Sequence, residues 1–142
     1  MTELVARGGP ELVVSLDLDG TVWFGDPAGP IGEAFVTALR EASIIVGSAS
    51  DRTVRDQRRL WERAGIAPDF VVVKNHLRLV RPTYAASVFV HIGDRFADRL
   101  EADGAGAHFI DVNVAPQATW QDLERFRVVV REMFGNLEGR SG

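Results

Sequence analysis

The chain contains no cysteine, so disulfides, thiolate metal sites and cysteine nucleophiles are excluded. It has one lysine, Lys74, while every other basic residue is arginine. A solitary ammonium in an arginine background raises the question of what needs a lysine at that position. Nowhere in the 142 residues does an apolar run approach the length of a membrane-spanning helix. Met1 to Pro10 carries charges and two glycines but no apolar leader segment, so no signal peptide is expected and the cytoplasm is the expected location. Excess basic charge is missing too. The net charge of −4 gives no general attraction for nucleic acid or an anionic membrane.

What is present is an ordinary globular composition, 46% hydrophobic and 25% charged. The length suits one domain over residues 1–142, with a core from about 11 to 135 and frayed ends. Short apolar runs at Leu12–Leu16, Ser43–Val46, Phe70–Val73, Val88–Ile92 and His108–Val112 read as buried strands. Between them lies helical spacing at Ile31–Ala42, from an Asp51 cap to Ala64 with Gly65 as the stop, and over Arg95–Ala102. A further amphipathic helix is expected over Trp120–Phe134. Val22–Pro27 looks like a short hairpin or flap, and Asn75–Ala86 like a loop with a short helix broken at Pro82. Continuous apolar strands alternating with helices predict an α/β fold, a three-layer α/β/α Rossmann-like arrangement around a five-stranded parallel sheet.

The polar residues of interest all stand after these strands. Asp17 and Asp19 follow the first, Ser48 the second, Lys74 the third, and Asp94 and Asp98 the fourth. Parallel strands put these ends on one edge, where ligands of open α/β sheets bind. Two carboxylates at i and i+2 repel and need a shared proton or a cation. Carboxylates, a lysine and a hydroxyl on one edge suit phosphoryl transfer: a carboxylate attacks phosphorus, Mg²⁺ neutralises the dianion, and the lysine and hydroxyl hold the remaining oxygens.

These segments resemble the haloacid dehalogenase superfamily of phosphatases and phosphotransferases. Asp17-Leu18-Asp19-Gly20-Thr21 is similar to its first motif, Ile44-Ile45-Val46-Gly47-Ser48 to its second, and Lys74 to its third. Val90-His91-Ile92-Gly93-Asp94-Arg95-Phe96-Ala97-Asp98 is similar to its fourth. The resemblance implies that Asp17 is the nucleophile that becomes an aspartyl-phosphate and that Asp19 is the general acid and base. It implies Mg²⁺ on Asp17, the Asp19 carbonyl, Asp94 and Asp98, the last in the inner or outer sphere. Ser48 and Lys74 would hold the phosphoryl oxygens, with Gly20 and Thr21 contributing to the substrate site. Asp19 itself favours phosphate chemistry, because the family's dehalogenases lack that second carboxylate.

Two positions have rivals. Arg81-Pro82 has the proline often seen in the third motif but not the lysine, and Lys74 is favoured because it sits at a strand end. Ser50 competes with Ser48, which is favoured as the hydroxyl directly after the strand and Gly47. His91, mid-strand, reads as a packed core histidine, and Trp61 and Trp120 as core. Trp23-Phe24 reads as packing in preference to a substrate stack. Arg52, Arg55, Arg59 and Arg63 read as a solvated helix face in preference to a track for a phosphate-bearing polymer.

The family often inserts a lid domain after the first motif or between the second and third. Here those intervals leave no room for one. An open site suits a macromolecular phosphate or a nucleic-acid end, or else a small phosphoester roofed by a neighbouring subunit in an oligomer. Nucleic acid is expected only as substrate, and no membrane partner is expected. The alternatives are a non-catalytic binding module of the same fold and a receiver-like phosphorylation switch.

Overall fold

Leu12–Leu16 forms strand β1 at the centre of the molecule, every residue of it buried. The structure, a computed structural model, describes residues 12–85 and 88–133. After β1 come α1 (Glu33–Glu41), β2 (Ile45–Ser50), α2 (Val54–Ala64), β3 (Phe70–Val73), a 3₁₀ segment (Lys74–Leu79) and α3 (Val80–Tyr84). Then follow β4 (Val88–Gly93), α4 (Phe96–Ala105), β5 (His108–Asp111), a second 3₁₀ segment (Gln117–Gln121) and α5 (Leu123–Met133). The five strands form one parallel sheet in the order β3-β2-β1-β4-β5.

Because β1 lies between two neighbours and two helical layers, it is apolar at nearly every position and does not alternate. Its side chains still divide between the faces. Leu12, Val14 and Leu16 pack with Phe35, Val36 and Leu39 of α1, Trp61 of α2 and Phe126 of α5. Val13 packs on the other side with Leu77, Val80 of α3, and Ala102 and Ala105 of α4. The expected layered α/β architecture is therefore present. Chain order reverses beside β1, with β2 on one side and β4 on the other, and a sheet of this kind opens a crevice at the strand ends at that point.

Several boundaries differ from expectation. β2 begins at Ile45 and continues through Ser50, because Gly47–Ser50 pairs residue for residue with Phe70–Val73. Asp51 is not the cap of α2. That role belongs to Thr53, whose hydroxyl accepts from the Asp56 amide at 3.1 Å. Gly65 does end α2, in the left-handed region at φ 77. The helix expected over Arg95–Ala102 runs as α4 from Phe96 to Ala105 and is closed by Gly106 at φ 73. Pro82 does not break its helix; it lies in the first turn of α3, where no intrahelical N–H is required. Trp120 belongs to the second 3₁₀ segment and not to α5, and Phe134, like the chain ends, lies outside the described residues. The expected flap is a loop fastened by a bridge between Val22 and Ile31.

Candidate active site

The crevice beside β1 is where the acidic residues meet. Asp17 is the first residue past β1, and its amide still donates to the carbonyl of Ile92 in β4 at 2.9 Å, so β1 and β4 set its position jointly. Asp94 is the first residue past β4. Asp98 lies in the first turn of α4, where Oδ2 accepts from the Arg95 amide at 3.1 Å. Two glycines let these groups close up. A Cβ on Gly20 would overlap the Asp94 carboxylate, and one on Gly93 would overlap that of Asp98. Gly20 also holds φ at 77, which a side chain would strain.

Lys74, the first residue past β3, reaches into this cluster and is only 4% exposed. Its Nζ lies 2.9 Å from Asp98 Oδ1, 3.2 Å from Asp17 Oδ2 and 3.6 Å from Asp51 Oδ2. Arg81, the rival, is elsewhere: its guanidinium donates to the Gly106 carbonyl at 2.9 Å. Between the two candidates, the lysine is the one beside Asp17.

Asp17, Asp94 and Asp98 each bring a carboxylate oxygen within 4.8 Å of the others, against one ammonium. The charge excess appears in their acidities. Burial, then repulsion by Asp98, pushes the Asp17 carboxyl up to about 7 against the pull of Lys74. Burial and Asp98 also raise Asp94. Burial alone would raise Asp98 as well, but hydrogen bonds and charge from His91 and Lys74 outweigh it and hold Asp98 down at about 2. One Asp94 oxygen, Oδ1, is buried with no hydrogen-bond partner. An orphaned carboxylate oxygen among three convergent acids is what a hard divalent cation with oxygen ligands would satisfy, so the residues fit such an ion. Asp98 is the poorest of the three as a direct ligand, because His91, Lys74 and the Arg95 amide already occupy it.

Asp19 stands apart. The repulsion expected between Asp17 and Asp19 falls instead on the three acids above, and the Asp19 carboxylate is not part of that group. Its oxygens accept from Arg52 Nε at 2.9 and 3.2 Å, and Oδ1 also accepts from the Asp26 amide at 2.8 Å. Arg52 in turn bonds Asp56 at 2.8 Å. Arg52 therefore lies outside α2, not on its solvated face. Its helical spacing to Arg55 and Arg59 placed it in the arginine row, and nothing in the sequence tied it to Asp19.

Ser48 is not at the end of its strand. It lies inside β2, fully buried, with Oγ donating to Gln57 Oε1 at 2.7 Å and accepting from Trp61 Nε1 at 2.9 Å. Gln57 uses its amide nitrogen on the carbonyls of Arg52 and Val72, tying α2 to the sheet. Ser48 is thus a packing hydroxyl, and Ser50, which ends β2, takes the strand-end position. Thr21 is buried and its hydroxyl has no hydrogen-bond partner among the described residues.

His91 is buried as expected, but it does more than fill space. Its ring joins Ser15 Oγ to Asp98 Oδ1, both at 2.9 Å. Ser15 and His91 are register partners on β1 and β4 and point to the same face as Asp17. Ser15, His91, Asp98, Lys74 and Asp17 form one continuous buried polar chain. His91 and Asp98 are seven residues apart, but Ser15 lies 76 residues before His91 and gives no sign of this link until the strands are paired. Trp23 and Phe24 pack on the core, with Phe24 4.9 Å from Trp61, and Trp61 and Trp120 are core residues as expected.

Compared with protein families, curated proteins and solved structures, the chain matches none. The functional reading therefore rests on the geometry. No helix among the described residues is long and apolar enough to cross a membrane.

Proposed function

We propose that this protein is a Mg²⁺-dependent phosphohydrolase of the haloacid dehalogenase type, acting through an aspartyl-phosphate on Asp17. The observation that carries the reading is the convergence of Asp17, Lys74 and the partnerless Asp94 oxygen at the crevice beside β1. Asp17 and Asp94, with the Asp19 carbonyl, would hold the ion, and Asp98 would act mainly by anchoring Lys74. Bound there, Mg²⁺ supplies charge neutralisation for the phosphoryl dianion.

Asp17 attacks phosphorus, and the leaving oxygen takes its proton from Asp19. Water then attacks the acyl-phosphate, Asp19 takes the water's proton, and phosphate departs as the Asp17 carboxylate is restored. General acid–base help of this kind is worth about 10²–10⁴ in rate. Arg52 must loosen its hold on Asp19 for that carboxyl to carry a proton, and an arriving phosphate gives the guanidinium another anion to bind. Lys74 and the Ser50 hydroxyl hold the transferring oxygens, with Ser50 replacing Ser48. Without an inserted lid the site would be open, which suits a phosphate on a large molecule, or a small phosphoester if a second subunit covers it.

The strand order weighs against a receiver-like switch, since those domains follow the order 2-1-3-4-5 and this sheet runs 3-2-1-4-5. The deciding experiment is turnover of an aryl phosphate with and without Mg²⁺. Expected are Mg²⁺-dependent release of phosphate, its loss in Asp17→Asn, and impairment of both chemical steps in Asp19→Asn. Undiminished turnover in Asp17→Asn, or in excess chelator, would sink the reading.

A further inference from the structure

Along α2 runs a row of guanidinium groups that the site does not use. Arg55, Arg58 and Arg59 are exposed and line a groove of about 990 Å³. None of the three has an ion-pair or hydrogen-bond partner among the described residues. Glu62, on the same wall, pairs with none of them. Arg55 and Arg59, and Arg59 and Arg63, stand at i,i+4, a spacing at which like charges destabilise a helix. Glu62, four residues after Arg58, and Asp56, three before Arg59, soften this repulsion, yet neither forms an ion pair with a groove arginine among the described residues.

The groove is connected to the acidic crevice by the chain itself. Arg52, on Asp19, precedes Arg55 by three residues, and Arg55 lies in the first turn of α2. At about 1.5 Å per residue, α2 carries the groove roughly 16 Å away from that edge, a distance about five extended residues would cover. Charge complementarity requires an anionic occupant. The surface between the arginines is aliphatic, from Val54, Ile66, Ala67 and Pro68. Its one ring, Trp61, is 1% exposed, so bases would find no stacking platform. The largely exposed Phe96 begins α4, which covers the opposite face of the sheet. A chain of net charge −4 also repels a uniform polyanion beyond the groove, whereas a peptide can place acidic groups only where the arginines are.

We propose that the groove along α2 binds an acidic segment of a polypeptide, positioned so that a phosphorylated residue of the same polypeptide reaches Asp17. The first half stands on the groove alone, and the second rests on the phosphohydrolase reading.

Fluorescence anisotropy of a labelled, unphosphorylated peptide alternating acidic and aliphatic residues tests the first half. Expected is binding that weakens about tenfold in Arg55→Gln/Arg58→Gln/Arg59→Gln and returns in the corresponding triple lysine variant. Added salt should weaken the wild type more than the glutamine variant. Equal affinity in both overturns the groove, and tighter binding of an oligonucleotide of equal charge overturns the choice of polypeptide. Melting curves confirm that the variants fold.

Turnover tests the second half. A phosphopeptide with acidic flanks should exceed one with neutral flanks about tenfold in kcat/KM, through KM, with the preference lost in the glutamine variant. Turnover with no preference overturns the link between groove and crevice. Peptide binding without turnover of any phosphomonoester upholds the groove and overturns the phosphohydrolase reading instead.

Discussion

Lys74 Nζ lies 2.9 Å from Asp98 Oδ1, in a pair whose cation is almost buried and whose anion is fully so. The lysine is therefore held from below by Asp98 while it faces Asp17, and the arrangement is stiff because Asp98 is itself held by His91 and the Arg95 amide. A buried charge with one partner removed is costly, about 3–5 kcal/mol.

Lys74→Ala is accordingly expected to lose most phosphatase activity and to lower the melting temperature by several degrees. Lys74→Arg should recover stability better than activity, because the planar fork cannot occupy the ammonium's point between two carboxylates. Arg81→Ala removes only a bond to the Gly106 carbonyl and should leave turnover near normal. Kinetics and melts on the three variants check this, and an inactive Arg81→Ala beside an active Lys74→Ala would reverse the assignment.

Ser48 and Ser50 should separate cleanly. Ser48→Ala strips partners from Gln57 and Trp61, and leaving buried groups unpaired costs about 1–3 kcal/mol, so its effect belongs in the denaturation midpoint. Ser50→Ala removes the acceptor of the Arg52 amide at 3.0 Å, so it should cost less stability than Ser48→Ala and far more activity. Comparing the two by urea titration and aryl-phosphate kinetics tests the reassignment, which fails if Ser48→Ala is the catalytically defective one.

The pH dependence of stability follows from Asp17. Its folded carboxyl titrates at about 7 against 3.8 for the free group, so the native state binds this proton more tightly than the unfolded chain does. That contribution is complete below about pH 4 and is lost as pH rises through 7. Asp94 is shifted the same way. Asp98, held at about 2, has the opposite sign: its contribution is present above about 4 and is lost as pH falls toward 2. In chelator the protein should therefore melt higher near pH 5 than near pH 8. Mg²⁺ should shrink that difference by favouring the ionised acids, and Asp17→Asn should shrink it by removing the group. A higher melting temperature at pH 8 in chelator would contradict the assignment.

His91 is expected to act through Asp98. His91→Phe takes the ring partner from Ser15 and one of three partners from Asp98, which keeps Lys74 and the Arg95 amide. This is a loss of about 1–3 kcal/mol and should raise the Mg²⁺ concentration for half-maximal activity. In Ser15→Ala/His91→Phe the loss should be smaller than the sum of the single losses, since each single change already breaks the Ser15–His91 bond. Strict additivity in melts would show that the two side chains are not coupled.

Much of this protein follows from local pattern. The apolar runs at 12–16, 70–73 and 88–92 become strands because continuous hydrophobicity of that length, bounded by turn residues, has no better burial than a parallel sheet. Once those strands are parallel, their following residues must share an edge, which is why Asp17, Lys74, Asp94 and Asp98 were readable as one group. Pairing across the sheet and between layers was not readable. Only the register of β2 on β3 makes Ser48 an interior residue and Ser50 the terminal one, and only that of β1 on β4 joins Ser15 to His91. The Arg52 clamp on Asp19 and the isolation of Asp94 Oδ1 likewise depend on residues far apart in the chain. The physical reason is the range of the forces involved. Burial and turn propensity act on neighbours and leave periodic traces in sequence, whereas hydrogen bonds and ion pairs act over about 3 Å between atoms that only the completed fold brings together.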